Sequence, residues 1–388
     1  MLVGAGFAEG LGLPGTAEIT NHVRSLQQYF IRADEHGEAP LGDVLSKIAS
    51  AYYDAPNFEV FLHLIECMLS ARRSRLGFAL PDSQKLAFNA FMDISPRLVS
   101  VLADSALESF GSEMMARIAD FLDEAIATSH IEKQAVIRDF LRGVAGRHVL
   151  RIATLNYDDA IERSIDGYWD GFTSDDPGVL DYPGFASTHD MELLHLHGSI
   201  RFAPSDPGSG PTALAELVRF KTNQGAAPYR SRPLLFSAFT QAGERVFIGP
   251  MLSGLRKTDK LIIEPYGLYH QRFVAGLLAS PRFVSIGYGG GDIYVNVALA
   301  QARRFHGDKF RAVHITRIPE KMPVTDPAVH RALIVPAVHS IRFAHEYPSF
   351  LERLLASGRC LEENGMLLIA SGFPISEQLR NRCEEFLR

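Results

Sequence analysis

The stretch HVLRIATLNYD, residues 148–158, decides the fold. Its apolar run, 149–155, stops abruptly at Asn156, Tyr157 and Asp158, as a buried parallel strand does where it meets the loop into a helix, expected here near Asp159. The same grammar recurs in LLHLHGS (193–199), RFVSIGYGGGD (282–292), FRAVHITR (310–317) and SIRFAHE (340–346). Short apolar runs that end in polar or glycine turns and alternate with helices predict an α/β fold, a Rossmann-like, mainly parallel sheet with helices on both faces.

Working outward, residues 16–145 carry no strand signal. Phe58, Phe61, Leu62, Ile65 and Leu69 recur at helical spacing, as do Ile118, Phe121, Leu122, Ala125 and Ile126, and Val136, Ile137, Phe140 and Leu141. One α/β domain over 1–388 is expected, with a mostly helical insertion at 20–145, a loop-rich insertion at 203–233 and a helical tail at 346–388. Met1 runs into a glycine turn within three residues, so the strand before that turn is very short or translation starts upstream.

With 46% hydrophobic and 22% charged residues, the chain has the composition of a globular protein, which removes the disordered and fibrous classes. A net charge of -6 with scattered Lys and Arg offers no cationic face for a phosphate backbone, so direct nucleic-acid binding is not expected. Apolar runs such as 367–370 fall far short of the roughly 20 residues that span a bilayer, which predicts a cytoplasmic protein with no membrane partner. Cys67, Cys360 and Cys383 stand at no metal-ligand spacing, so no structural zinc and no disulfide framework is expected.

Chemistry concentrates at the strand ends. The opening GAGFAEGLGLP (4–14) suggests backbone approaching a pyrophosphate, with amides and a helix N-terminus toward the anion. Its third glycine, Gly10, is one residue late for G-x-G-x-x-G, and a tight turn explains the glycines as well. Asn156 and Asp158 read equally as helix caps. His195 and His197 lie two residues apart on an apolar strand, where at most one is expected to face a pocket. Gly287, Tyr288 and Gly289 open a flexible turn whose Asp292 either caps the next helix or touches a ribose. Thr316 and Arg317 end a further strand, on the adenosine side.

Taken in order, these motifs resemble the sirtuin (silent information regulator two-like) family. Gly4-Ala5-Gly6-Phe7 with Gly12-Leu13-Pro14 is similar to the family's GAG-x5-G-[IL]-P loop. Thr154-Leu155-Asn156-Tyr157-Asp158 is similar to T-x-N-[IY]-D, His197-Gly198 to the catalytic His-Gly, and Gly287-Tyr288 with Asp292 to the G-Y-S-x-x-D of bacterial sirtuin-like NADases. The resemblance implies NAD⁺ as substrate. Asn156 then contacts the ribose or a water near its reacting carbon, Asp158 holds the nicotinamide carboxamide, His197 accepts a proton, and His195 is structural. The Asp-Phe-Arg that follows the proline in deacylases is Gly15-Thr16-Ala17 here, and no Cys-x-x-C pair follows the histidine. The zinc module and peptide platform of a protein deacylase are thus missing, and water becomes the expected acceptor. The branch implied is the zinc-less NADases of bacterial anti-phage defence, oligomeric and restrained until triggered, here in trans by a partner such as a hexameric DNA-translocating ATPase. The alternatives are a non-catalytic NAD or ADP-ribose sensor that regulates a partner ATPase or nuclease, and an NAD-dependent protein deacylase or ADP-ribosyltransferase.

Overall fold

Seven segments pair into one sheet: β1 (Leu2–Val3), β2 (Leu150–Thr154), β3 (Met191–His195), β4 (Arg282–Ile286), β5 (Arg311–Ile315), β6 (Cys360–Glu363) and β7 (Met366–Ile369). Their order is β6-β7-β5-β4-β1-β2-β3, parallel throughout except for the β6–β7 hairpin at one edge. The computed structural model describes residues 1–25, 30–33, 37–51, 56–73, 104–128, 130–145, 149–205, 217–230, 237–239, 245–247, 249–254, 257–261, 263–318 and 347–388.

Strands form where the apolar runs predict them because both faces of the sheet are covered. Side chains alternate along each strand: Val3, Ile152 and Leu193 enter one core, while Leu2, Ala153 and Leu194 enter the other. The first core is closed by α1 (Ala5–Gly10), α2 (Thr16–Arg24), α3 (Leu41–Ser50), α4 (Phe58–Arg73), α5 (Asp104–Thr128) and α6 (His130–Ala145). The second is closed by α7 (Tyr266–Ala279) and α8 (Ile293–His306). The α4 stripe of Phe58, Phe61, Leu62, Ile65 and Leu69 is buried as its spacing demands. In α6, Ile137, Phe140 and Leu141 are buried whereas Val136 faces outward.

Four expectations need correction. A two-stranded ribbon, Phe30–Ala33 with Gly37–Pro40, interrupts the helical region. No helix starts near Asp159: the chain makes a turn, in which the Asp159 carboxylate takes both Arg163 and Arg201. The stretch 203–233 holds a ribbon, Phe202–Pro204 with Leu217–Arg219, and a helix, Asn223–Arg230, with 206–216 and 231–233 outside the described residues. The tail has its two helices, α9 (Tyr347–Ala356) and α10 (Glu377–Leu387), but between them the β6–β7 hairpin joins the sheet. The predicted strand at 340–346 lies outside the described residues.

The strand order reverses direction between β1 and β4, from which the chain runs outward to β3 on one side and β7 on the other. In open α/β sheets the crevice outside the carboxyl ends at such a switch point is where ligands bind. Register lines those ends up: Val3 pairs with Thr154 and Ile286, Thr154 with His195, and Ile286 with Ile315. Gly4, Asn156, His197 and Gly287 therefore leave the sheet along one edge. At the opposite, amino end, where β1 occupies only two rungs, a cavity of about 740 Å³ lies among Leu150, Phe283, Val284 and Phe140.

Candidate active site

Two glycine turns interlock at the switch point. The Gly4 N–H donates to the Ile286 carbonyl at 2.9 Å, and the Gly6 N–H donates to the Gly287 carbonyl at 3.0 Å. Gly287 is left-handed, with φ +63, and a Cβ there would come within 2.2 Å of the Phe7 nitrogen. A Cβ on Gly6 would come within 2.9 Å of the Gly287 Cα. These glycines let two loops meet backbone to backbone, so the close approach that selects them is to each other. Gly289 and Gly291 differ: among the described residues, nothing lies within 4 Å of a Cβ at either, and both face a cavity of about 270 Å³. That is just below the roughly 300–1,000 Å³ typical of ligand pockets.

His197 follows the end of β3. On a continuing strand it would share a face with His195, two residues back. The strand instead ends at His195 and Gly198 turns with φ +87, so the two imidazoles part company. His195 is sealed beside Glu162, Nε2 to Oε1 3.5 Å, and does not line the cavity. His197 lines it, with Nε2 3.2 Å from Asp292 Oδ1 in an electrostatic contact rather than an aligned hydrogen bond. Asp292 occupies the N-cap position of α8 without capping it; its carboxylate faces His197 and the Lys257 ammonium, 3.4 Å away. Burial alone would raise the Asp292 carboxyl, but His197 and Lys257 more than offset it and hold it well below the usual carboxylate range.

On the facing side, the Asn156 N–H donates to Thr154 Oγ1 at 3.1 Å, which fixes the bend that carries the Asn156 amide into the cavity wall. Asp158 lines the same wall. Its Oδ1 accepts the Ala160 N–H at 3.1 Å, and burial pushes its carboxyl up to about 6. The Tyr157 hydroxyl donates to Glu59 Oε1 at 3.0 Å, and the same oxygen pairs with Lys257 at 2.9 Å.

Gly4, Ala5, Pro14, Asn156, Asp158, His197, Gly287, Tyr288, Gly289 and Asp292 thus line one cavity although the sequence scatters them over nearly 290 positions. Gly6 and Thr154 act one step behind it. Phe7 is core, packed on Phe373 at 4.7 Å, Leu13 is buried, and Gly12 with φ +70 closes the α1 turn. Thr316 and Arg317 follow the end of β5 and do not line the cavity. Sequence reasoning missed Glu59 and Lys257. Glu59 follows Asn57, whose Oδ1 accepts the Glu59 and Val60 N–H groups, so an Asn cap before an apolar helix was the available signal. Lys257 opens a four-residue helix, Lys257–Lys260, too short to leave a periodic signal in the sequence. Among the described residues, no group of three or more His, Cys, Asp or Glu is placed to hold a metal ion.

A Rossmann-like sheet with a histidine–carboxylate pair at its switch point has the layout of a nucleotide-handling site. The SIR2-like domain family matches residues 150–334, just under half of the chain. Over that stretch, which holds Asn156, Asp158, His197, Lys257 and Asp292, the chain is similar to the SIR2-like domain family, a likeness consistent with NAD-related activity. No curated protein matches the chain.

Proposed function

We propose that this cavity binds NAD⁺ as substrate and hydrolyses its nicotinamide–ribose bond, with water as the acceptor. The observation that carries the reading is His197, set 3.2 Å from an ionised Asp292 on the wall that Asn156 also lines. In hydrolysis the C1′–N bond breaks with its electron pair going to the nicotinamide nitrogen, water oxygen adds to C1′, and the released proton goes to His197, whose imidazolium Asp292 would stabilise. Glu59, Asp158 and Asp292 give the wall acidic character, with Lys257 as the opposing charge, and that sign suits a cationic pyridinium and the positive charge that develops on the ribose. Asn156 orients a hydroxyl or water without competing as a nucleophile. Gly289 and Gly291 leave room for backbone to pass close to the dinucleotide.

The likeness to zinc-less NADases supports a role in depleting NAD⁺ during anti-phage defence, by a cytoplasmic homo-oligomer released in trans by a partner or phage signal. The test is nicotinamide release from NAD⁺ by the purified full chain, alone and with candidate partners. Release that His197→Ala and Asn156→Ala both abolish is the expected result. NAD⁺ binding with no release under any condition would leave a sensor, and release unaffected by both variants would place the chemistry elsewhere.

A further inference from the structure

The helical region before the sheet reaches into the cavity through one charged residue. Glu59, in the first turn of α4, pairs with Lys257 at 2.9 Å, and Lys257 lies 3.4 Å from the same Asp292 oxygen that faces His197. Two turns along α4, Glu66 pairs with Lys260 at 2.6 Å in a fully buried contact, and Lys260 also donates to the Ser253 carbonyl at 2.7 Å. Residues seven apart share a helix face. That face of α4 therefore grips the segment Lys257–Lys260 at both ends. The outer pair is locked by burial; the inner one opens onto the cavity.

We propose that Glu59 and Lys257 are positioning residues that set the charge His197 experiences through Asp292, so that the helical region governs the reactivity of the site. The proposal rests on reading His197 as the proton acceptor. Lys257 divides its charge between two carboxylates. While Glu59 holds it, Asp292 keeps most of its negative charge for His197. When Glu59 is withdrawn, by substitution or by movement of α4, Lys257 turns wholly to Asp292 and the imidazolium loses support. The other titratable groups around His197 are Asp158 and Tyr157 from the loop after β2, Tyr288 from the turn after β4, whose hydroxyl bonds the Asp292 backbone, Tyr294 from α8 and, behind Tyr294, His270 from α7. None of them bridges to α4 except Tyr157, and it does so through the same Glu59 oxygen.

The test is an NMR titration of the histidine rings in the full chain without substrate, with the His197 signal assigned by its loss in His197→Asn. Glu59→Gln is expected to lower the pH at which that signal turns over by about half a unit or more, and Lys257→Gln to raise it by a similar amount. Lys257→Arg, which keeps the charge, should stay near the wild type. If Lys257→Gln does not melt cooperatively, the sign of the Glu59→Gln shift decides alone. Shifts that are absent, or that run in the same direction in two folded variants, overturn the proposal. No turnover is needed, so failure of the hydrolase reading is detected separately. If the protein does cleave NAD⁺, the acid limb of the rate–pH profile should move in the same two directions with KM unchanged; a raised KM with an unmoved limb would make Lys257 a substrate contact instead.

Discussion

Two histidine–carboxylate pairs stand two residues apart at the end of β3, and they have opposite characters. His195 faces Glu162 at 3.5 Å with both side chains sealed from solvent. Burial lowers His195 to about 3, helped by Arg201 and Arg219, and raises Glu162 to about 8, so the pair is neutral at physiological pH. His197 faces Asp292 at 3.2 Å on a cavity wall, where Lys257 adds a cation and the carboxylate stays ionised. Desolvation silences the first pair; in the second, the Lys257 ammonium beside the carboxylate helps keep Asp292 ionised. A histidine beside an acid is thus not in itself a catalytic signature, and what separates the two pairs here is the company each keeps.

The comparison can be broken most sharply by exchanging the losses. His197→Ala should reduce nicotinamide release by about 10²- to 10⁴-fold while the protein still melts cooperatively. His195→Asn should lower the melting temperature yet leave turnover per folded molecule within about threefold. Next in size is Asp292→Asn, for which kcat should fall roughly 10- to 100-fold with little change in KM, because substrate binding is retained and support for the imidazolium is lost.

The two glycine classes extend the contrast from side chains to backbone. Gly287→Ala meets the Phe7 backbone and a left-handed φ, so it should destabilise the fold by about 2 kcal/mol or more in chemical denaturation. Gly289→Ala meets nothing among the described residues and should leave stability unchanged while weakening NAD⁺ binding by calorimetry. The smallest effect concerns the sealed pair. A carboxyl whose folded value is raised from 4.5 to about 8 contributes most below pH 4.5, and that contribution is lost as pH rises toward 8. Glu162→Gln removes this loss, so its melting temperature relative to the wild type should climb between pH 5 and pH 8. The opposite slope from His195, which acts below 6.5, is common to both proteins.

The strand ends were legible because each motif is local: an apolar run, then the residues that a ligand would meet. The pairing of His197 with Asp292 was not, since it needs the register of β3 and β4 across β2 and β1, ninety-odd residues apart in the chain. Of the two local readings of Asp292, the cap places its backbone correctly but not its carboxylate, which makes no cap hydrogen bond and faces the cavity, where the ribose reading puts it. The β6–β7 hairpin did carry a signal: Asn364-Gly365, whose φ values of +50 and +75 suit a tight primed turn, stands before an apolar run that ends in Ser371-Gly372 like the other strand ends. Glu59 and Lys257 meet from an inserted helix and a four-residue helix about 200 positions later, and only tertiary packing brings them together.

In the proposed function, the cavity at the carboxyl ends of β1 and β4 receives the nicotinamide ribose of NAD⁺ beside His197. A crystal structure of His197→Ala with NAD⁺ tests it most directly. The nicotinamide ribose is expected between Asn156 and the Gly289–Asp292 turn, with intact dinucleotide because cleavage is blocked. Dinucleotide bound in the apolar cavity at the amino end of the sheet, or binding that leaves the ribose away from residue 197, would contradict it.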